Sequence, residues 1–325
     1  MAGMVNGKWV DTMPAAEEVK HGRFVRKDSR FRGQIAPDGE FPPEPGRYRL
    51  WVSLSCPWAS RTLAFRALKG LDEIIPVSVA LPGMSAAGWR FAEGPDGAAV
   101  EESPLHRVYS AAVADYTGKV TVPVLWDTKT GNIVNNESAD IVRILNSAFD
   151  GLTGNRFDFY PDALRDEIDH WNSLIYPAVN NGVYQAGFAT TQDAYDEAVY
   201  GLFATLDQLE NHLATSRYLA GEYCTEADWR LFVTLARFDV AYYGAFKCNL
   251  RRIADYPALS NYLRELYQWP CIAATVDLAR IKGDYYAIPT INPSGVVPAG
   301  PPAPKLDAPH DRDRLTGKDV WLRAG

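Results

Sequence analysis

Cys56 is the residue whose type and position most clearly favour chemistry. It follows a strand-like run at 47–54 and precedes a helical pattern at 58–70, within the sequence Cys-Pro-Trp-Ala. A thiol at a helix N-terminus meets the positive end of the helix dipole and unbonded backbone N–H groups. Both favour the thiolate, and such positions lower cysteine pKa values to roughly 3.5–7.5. The alternative is a structural thiol, because cysteines outside disulfides are often buried.

Residue 59 decides which thiol chemistry is open to Cys56. An alanine, Ala59, stands where a CxxC redox motif has its second cysteine. A reactive Cys56 would therefore form a mixed disulfide that an external thiol must release. The sequence thus favours monothiol chemistry over an internal dithiol–disulfide cycle.

Two short segments further along could hold a peptide-like ligand that carries both charges. Pro123 lies inside a predicted strand at 120–126, and backbone held open beside such a proline can pair with an extended ligand. An ordinary edge-strand proline is the alternative. Glu137 and Ser138 begin a predicted helix, where a carboxylate and a hydroxyl can hold an α-amino and an α-carboxylate group. A simple helix cap is the commoner explanation for such a pair.

The elements that must position these residues alternate in the first half of the chain. The sequence pattern predicts strands and helices at 47–54, 58–70, 74–81, 120–126, 132–134 and 137–145. The first three of these form a βαβ unit. Segment 82–118 is rich in Gly and Pro and lacks periodicity, so we expect a long loop insertion there.

Helical periodicity dominates from about residue 160. Apolar residues at i, i+3, i+4 and i+7 predict helices at 162–178, 191–214, 226–245, 256–269 and 271–281. The predicted fold class is therefore α/β followed by all-α. We divide the chain into an N-terminal extension that wraps the surface (1–46), an α/β domain with its loop insertion (47–150), a helical domain (158–288) and a proline-rich extended tail (289–325).

Composition excludes several classes of protein. The 325 residues carry 33 Lys+Arg and 40 Asp+Glu, and a net charge of −7 discourages binding to nucleic acid or anionic membranes. No apolar run approaches the ~18 residues of a membrane span, and residues 1–10 lack the pattern of a signal peptide. Four cysteines are too few for a disulfide framework, and five histidines show no metal-ligand spacing. We therefore expect a cytoplasmic protein that binds no metal, nucleic acid or membrane.

Several motifs carry a family resemblance that spans nearly the whole chain. They are VSLSCPWASRTL (52–63), GW (88–89), YTGKVTVPVLWD (116–127) and IVNNES (133–138). These resemble the thioredoxin-like glutathione-binding domain of the glutathione transferase superfamily. Further matches are RFVRKDSRFR (23–32), NNGVYQAGFATTQDAYD (180–196), RFDVAYYGAFKCN (237–249) and INPSGVVPAGP (291–301). They are most similar to the Xi class, the glutathionyl-hydroquinone reductases.

The resemblance implies a fold and a role for particular residues. The fold is an N-terminal thioredoxin-like domain followed by an all-helical glutathione-transferase C-terminal domain. Cys56 matches the nucleophile and Tyr184 the proton donor and acceptor, while Tyr242 and Tyr285 match tyrosines that favour the thiolate by hydrogen bonding. The residues that match glutathione contacts are Trp89, Lys119, Val120, Thr121, Val122, Pro123, Glu137 and Ser138.

Four positions depart from the family pattern. Arg49 and Ser60 stand where the family often has histidine, and Asp284 replaces the histidine before the paired tyrosines. Lys119 stands where the family usually has arginine, which can grip a carboxylate bidentately as lysine cannot. These departures bear on glutathione affinity and on the geometry of the quinol site.

The activity implied by the resemblance is glutathione-dependent reduction of glutathionyl-hydroquinones to hydroquinones, with glutathione as co-substrate and a homodimer as the assembly. Cys56 would form a mixed disulfide with glutathione, and a second glutathione would resolve it to oxidised glutathione. Two alternatives stay open. One is another monothiol activity of an omega-like transferase, such as thiol transfer or dehydroascorbate reduction. The other is a glutathione transferase-like binding module without catalysis.

Overall fold

The computed structural model describes residues 2–11, 19–317 and 320–323, and the chain divides into two compact units. Unit 1 holds residues 2–11 and 27–155, and unit 2 holds 19–26 together with the described residues from 156 onward. The predicted N-terminal extension and the predicted tail each include residues outside the described set. The described part of the extension contributes to both units.

The strands are short. In chain order they are β1 (Gly3–Val5), β2 (Lys8–Val10), β3 (Val19–Lys20), β4 (Arg23–Phe24), β5 (Tyr48–Val52), β6 (Val77–Val79), β7 (Arg90–Glu93), β8 (Ala99–Pro104), β9 (Val124–Asp127), β10 (Asn132–Asn135), β11 (Phe157–Asp158) and β12 (Trp321–Leu322).

The longest helix of the described residues, with 22 residues at Gln192–Leu213, belongs to unit 2. In chain order the helices are α1 (Pro57–Leu68), α2 (His106–Ala112), α3 (Ser138–Ser147), α4 (Asp150–Thr153), α5 (Arg165–Ile175), α6 (Gly182–Gly187), α7 (Gln192–Leu213), α8 (Glu226–Arg237), α9 (Tyr243–Ala245), α10 (Pro257–Tyr267) and α11 (Leu278–Tyr286). Two π-helical turns interrupt this set, at Tyr176–Asn180 and Phe238–Tyr242.

Unit 1 is built on a mixed four-stranded sheet in the order β10-β9-β5-β6. Strand β5 pairs parallel with β6 and antiparallel with β9, and α1 is the crossover between the two parallel strands. This confirms the predicted βαβ unit. Leu50, Trp51 and Val52 are all but fully buried, because β5 is a central strand with a continuous apolar run.

The segment 82–118 is not the loop that the sequence predicts. It contains the antiparallel hairpin β7–β8 and the helix α2. Its hairpin strand β8 is mostly exposed, so the segment carries few buried apolar positions and no clear period. Its buried hydrophobic residues are Phe91, Leu105, Val108, Tyr109 and Tyr116.

Unit 2 is helical, as predicted, but three predicted helices differ in their bounds or continuity. The expected helix at 162–178 consists of a 3₁₀ turn, the helix α5 and the first π-helical turn. The expected helix at 271–281 begins only at Leu278 and continues to Tyr286, because Cys271 has a left-handed φ of 68° and Asp277 caps the N-terminus of α11. The expected continuous helix at 226–245 is divided by the π-helical turn at Phe238–Tyr242. The predicted start of α8 is confirmed by a capping box between Thr225 and Asp228.

The tail is anchored more deeply than an extended surface segment. Arg312 is fully buried in unit 2, and its Nε donates to Glu265 Oε2 at 2.7 Å while Nη1 donates to the carbonyl of Leu213 at 3.0 Å. Glu265 also accepts from Arg217 Nε at 2.7 Å and from the Tyr218 hydroxyl at 3.2 Å. Proline content describes the tail's extended backbone but does not reveal this buried ion pair.

Within the described ranges, no helix is long and apolar enough to cross a membrane.

Candidate active site

Cys56 occupies the N-cap position of α1, directly after β5 and its short connecting turn. Its backbone is extended (φ −76°, ψ 120°), Pro57 follows in the first turn of the helix, and the side chain is half-buried. The Sγ atom lies 3.6 Å from the carbonyl oxygen of Val122, the residue before Pro123. The Val122–Pro123 peptide bond is cis. The structure therefore joins two features that the sequence singles out separately.

The segment that leads to Pro123 has no regular secondary structure and does not form the strand predicted at 120–126. Strand β9 begins only at Val124, because proline at the start of a strand donates no ladder hydrogen bond. The Tyr109 hydroxyl donates to the Thr121 carbonyl at 2.9 Å and accepts from the Thr121 N–H at 3.3 Å. The Tyr116 hydroxyl donates to the Lys119 carbonyl at 2.8 Å. Two buried tyrosines thus hold residues 119–122, where we expect glutathione to bind.

Glu137 and Ser138 stand at the N-terminus of α3. The Glu137 carboxylate caps this helix through Oε1, which accepts from the Ala139 N–H at 3.1 Å, and its Oε2 accepts from the Ser29 hydroxyl at 2.9 Å. Ser138 is the first residue of the helix and is buried. The commoner role of a helix cap is therefore present, and the carboxylate keeps lone pairs for an ammonium group.

Lys119 and Trp89 are half-buried residues of unit 1. Burial lowers the pKa of the Lys119 ammonium group to about 8, because removal from water disfavours its charged form. Trp89 precedes β7, and its carbonyl accepts from the Leu105 N–H at 2.8 Å. Lys119 therefore changes charge in a pH range where enzymes are readily assayed.

Three tyrosine hydroxyls form a connected chain in unit 2. Tyr285 of α11 lies in the middle, with its hydroxyl 2.6 Å from that of Tyr184 and 3.1 Å from that of Tyr242. Tyr242 and Tyr285 are buried, and burial raises the pKa of each well above 10. Both phenols therefore stay protonated near neutral pH. Tyr184 is half-buried and forms the more accessible end of the chain.

Phe246 packs against all three of these tyrosine rings. Its ring centroid lies 5.2 Å from Tyr184, 5.2 Å from Tyr242 and 5.4 Å from Tyr285. Gly187 makes room for this ring, because a Cβ atom at that position would lie 2.4 Å from the ring's nearest atom. The positions of the hydroxyl groups thus depend on close packing as well as on hydrogen bonds.

Two of the four departures from the family pattern form ion pairs. Arg49 contacts Glu93 of β7, and its Nη1 donates to the Ser78 hydroxyl at 2.9 Å. Asp284 pairs with Arg280 one turn earlier on α11, at 2.7 Å. The neighbouring Arg280 therefore offsets the negative charge that Asp284 places beside Tyr285.

The sequence predicted the principal groups but missed those that support them. Ser29, Tyr116, Gly187 and Phe246 lie within the motifs that carry the resemblance, but they are assigned no role. Tyr109 lies in the segment interpreted as a loop. The structure, and not the sequence, marks the region of Tyr184 and Tyr242 by its π-helical turns, which are frequent at functional sites. One such turn precedes α6, which carries Tyr184, and the other ends at Tyr242.

All four cysteines lie in the described ranges and none forms a disulfide. Within those same ranges, no group of three or more His, Cys, Asp or Glu side chains could hold a metal ion.

Family models match both halves of the chain. The model described as the glutathione S-transferase N-terminal domain matches residues 55–148, and that of the C-terminal domain matches residues 192–265. The first match contains Cys56, Pro123 and Glu137.

Relatives match the chain almost from end to end. The glutathionyl-hydroquinone reductase PcpF of Sphingobium chlorophenolicum is 50% identical, with 93% of this chain and 96% of that protein covered. The glutathionyl-hydroquinone reductase YqjG of Escherichia coli is 47% identical, with 96% and 99% covered.

Solved structures of glutathione transferases are similar to this chain over nearly its whole length. A Xi-class transferase from Natrialba magadii has a TM-score of 0.87 at 41% identity, covering 98% of each chain. The glutathione-bound structure of Escherichia coli YqjG has a TM-score of 0.85 at 45% identity, covering 95% of this chain and 99% of that one. The chain therefore belongs to the glutathione S-transferase family, and within it to the Xi class that includes the glutathionyl-hydroquinone reductases.

Proposed function

We propose that this protein reduces glutathionyl-hydroquinones to hydroquinones at the expense of glutathione. The observation that carries the proposal is the chain of hydroxyls from Tyr242 through Tyr285 to Tyr184. A thiol transferase expels a thiolate, which needs no proton to leave. A reaction that expels a ring carbon must supply that carbon with a proton, and a row of protonated phenols provides a general acid.

In the first step the Cys56 thiolate attacks the sulfur of the glutathionyl group. A sulfur–sulfur bond forms, the bond between sulfur and the ring carbon breaks, and its electron pair stays with the carbon. Tyr184 gives its proton to that carbon, so hydroquinone leaves. The ring is reduced by two electrons, and the two sulfurs are oxidised to the Cys56–glutathione mixed disulfide.

In the second step the thiolate of another glutathione attacks the mixed disulfide. Oxidised glutathione leaves, the Cys56 thiolate returns, and Tyr184 regains a proton from solvent. No other oxidant or reductant is needed, since two glutathione molecules supply the two electrons in total: one is the conjugated group and the other is the resolving thiol.

We assign the glutathione contacts to residues of unit 1. The backbone of residues 120–122 beside Pro123 would pair with the glutathione backbone, and Glu137 with Ser138 would hold its γ-glutamyl end at the N-terminus of α3. Lys119 would hold a carboxylate, and Trp89 would contact the peptide.

In unit 2, Tyr242 and Tyr285 would hold the Tyr184 hydroxyl. Their role expected from the resemblance, stabilising the Cys56 thiolate, stays a prediction.

We also propose that the protein is a cytoplasmic homodimer, which sedimentation and cell fractionation would test. The domain limits at 47–150 and 158–288 stay predictions.

The test compares the wild-type protein with Cys56→Ser on a purified glutathionyl-hydroquinone and glutathione. We expect the wild type to release hydroquinone and to carry one glutathionyl group on Cys56 when the second glutathione is withheld. Absence of hydroquinone release by the wild type would contradict the function, and equal release by both proteins would contradict the role of Cys56.

One set of relatives favours a second function. The chain is 44% identical to the omega-like transferase 2 of Schizosaccharomyces pombe over 87% of its length. Thiol transfer or dehydroascorbate reduction would use Cys56 and the glutathione contacts without a proton donor for carbon. Tyr184→Phe would then leave the main activity nearly unchanged. A binding module without catalysis predicts a Cys56 that alkylates with iodoacetamide no faster than an ordinary thiol at mildly acidic pH.

A further inference from the structure

Arg26 brings a positive charge to the ring of Tyr184. Its guanidinium carbon lies 5.1 Å from the centroid of the Tyr184 ring, within the range of a cation–π contact. The same group lies 5.3 Å from the ring of Phe24, and its Nε donates to Asn181 Oδ1 at 3.1 Å. The guanidinium is thus held at three points, one of which is the tyrosine that we assign as the proton donor.

Residues 19–26, which carry Arg26, are held against the rest of unit 2 by several contacts. The β3–β4 hairpin accepts a hydrogen bond from the Thr190 N–H at the carbonyl of Gly22, at 3.0 Å. Phe24 is buried and packs against Phe188, with ring centroids 5.5 Å apart. Arg23 pairs with Glu197 of α7. The position of Arg26 over Tyr184 therefore follows from the fold of residues 19–26.

The charge of Tyr184 changes during the reaction, and the groups around it decide how costly that change is. The titratable and charged groups around its phenol include Arg26 from residues 19–26, Tyr285 from α11 and Tyr242 from the π-helical turn. Arg237, the last residue of α8, adds a positive charge that acts on Tyr242 and Tyr285. Tyr285 and Tyr242 stay protonated, since burial raises the pKa of each. They can donate hydrogen bonds. Of the two positive charges, Arg237 opposes the rise in the pKa of Tyr242 and Tyr285, and Arg26 contacts the Tyr184 ring itself.

We propose that Arg26 is a positioning residue of the reaction. Its guanidinium fixes the Tyr184 ring and stabilises the phenolate that Tyr184 becomes when its proton passes to the carbon of the leaving hydroquinone. An opposite charge within about 4–6 Å favours the ionised form of a titratable group. The inference rests on the proposed function, because only a reaction that protonates carbon leaves Tyr184 ionised.

The structure offers a matched control three residues earlier. Arg23→Gln removes the same charge from the same segment, but Arg23 contacts Glu197 and not Tyr184. Arg26→Gln removes the charge over Tyr184 and keeps an amide that can donate to Asn181. Arg26→Lys keeps the charge and loses the planar group.

The first measurement needs no substrate. Each protein is labelled with ¹³Cζ-tyrosine, the Tyr184 resonance is identified by its loss in Tyr184→Phe, and its chemical shift is followed against pH. Arg26→Gln should move the midpoint of the Tyr184 titration upward by about half a unit to one unit, on the scale of a cation–π contact. Arg26→Lys should restore at least half of this shift, and Arg23→Gln should leave the midpoint in place.

The second measurement is the ratio of hydroquinone release to reduction of a small glutathione mixed disulfide, whose leaving group is a thiolate. Arg26→Gln should lower this ratio about three- to tenfold through kcat, and the KM for glutathione should not change. Arg23→Gln should not alter the ratio.

The titration and the activity ratio together decide between the possible outcomes. An unmoved midpoint in Arg26→Gln overturns the inference, and so do equal changes in Arg23→Gln and Arg26→Gln, which would reflect a disturbed segment. If the wild type releases no hydroquinone, the proposed function fails whatever the titration shows. If the wild type is active while the Arg26→Gln ratio and midpoint stay in place, only the inference about Arg26 fails.

Discussion

The two units hold their functional groups by different physical means. In unit 1 the groups are a helix N-terminus, a run of backbone beside Pro123 and a capping carboxylate, fixed mainly by hydrogen bonds from Tyr109, Tyr116 and Ser29. In unit 2 they are tyrosine hydroxyls set among packed aromatic rings. Backbone groups suit a part of the ligand that stays the same from one substrate to the next, such as the peptide backbone of glutathione. Buried phenols suit a proton that must be delivered away from water.

The strongest test of this comparison is to remove Cys56, the nucleophile that we propose in unit 1. We expect Cys56→Ser to lower hydroquinone release and mixed-disulfide reduction alike, each by at least about 10³-fold, because both reactions pass through the same sulfur. Steady-state rates on the two substrates measure the effect. Cys271→Ser is the matched control, since Cys271 is an exposed thiol of unit 2 that is assigned no role.

Removal of the Tyr184 hydroxyl tests whether proton delivery is the whole contribution of unit 2 to the reaction. Tyr184→Phe should lower hydroquinone release by about 10²- to 10⁴-fold, the range of general acid catalysis, and mixed-disulfide reduction by much less. Equal losses on both substrates would show that unit 2 does more than deliver a proton. Tyr200→Phe, at a tyrosine that is 62% exposed, supplies the control for loss of a phenol hydroxyl.

Packing in unit 2 can be disturbed without removing any polar group. A methyl group on Gly187 would meet the Phe246 ring, so Gly187→Ala should destabilise the fold by about 1–3 kcal/mol and lower hydroquinone release. Gly201→Ala is the control, because a Cβ there meets nothing within 4 Å and alanine favours α7 by roughly 0.5–1 kcal/mol. Denaturant unfolding measures both changes. Unchanged stability in Gly187→Ala would show that Phe246 moves aside easily.

The smallest expected effect is a pH dependence in unit 1. The Lys119 pKa of about 8 means that its positive charge is present below that pH and is lost above it. If Lys119 holds a glutathione carboxylate, the KM for glutathione should rise roughly threefold between pH 7 and 9 beyond the rise in Lys119→Arg, whose side chain stays charged. The thiol of glutathione titrates equally in both proteins, so the difference between them isolates Lys119. Parallel KM profiles would remove Lys119 from the site.

In unit 1 the sequence predicts the sheet and α1 better than the segment 82–118. In unit 2 it predicts the long helices better than the turns that interrupt or precede them. A continuous apolar run locates β5, and apolar residues at helical spacing locate α1 and the long helices. The hairpin and helix between residues 82 and 118 bury too few residues to leave a period. The left-handed φ of Cys271 and the π-helical turns depend on tertiary packing, which local sequence does not encode.

The same division applies to the site. Cys56, Pro123 and Glu137 stand out because each lies at a boundary between elements, where its chemistry can be reasoned from local structure. Tyr184, Tyr242 and Tyr285 are 43 to 101 residues apart, and only the resemblance groups them. Arg26 contacts a residue 158 positions later in the chain, a distance over which no spacing rule applies.

The buried Arg312–Glu265 pair has a consequence for how the chain acquires its stability. The two residues are 47 positions apart, so helix α10 leaves the ribosome well before Arg312. At that stage Glu265 can already pair with Arg217 and Tyr218, but it lacks the second guanidinium. A hydrogen bond to a charged group typically contributes about 1.5–3 kcal/mol to stability. Unit 2 therefore reaches its full stability only late in synthesis, and a protease that cuts ahead of residue 312 returns it to the weaker state of a nascent chain.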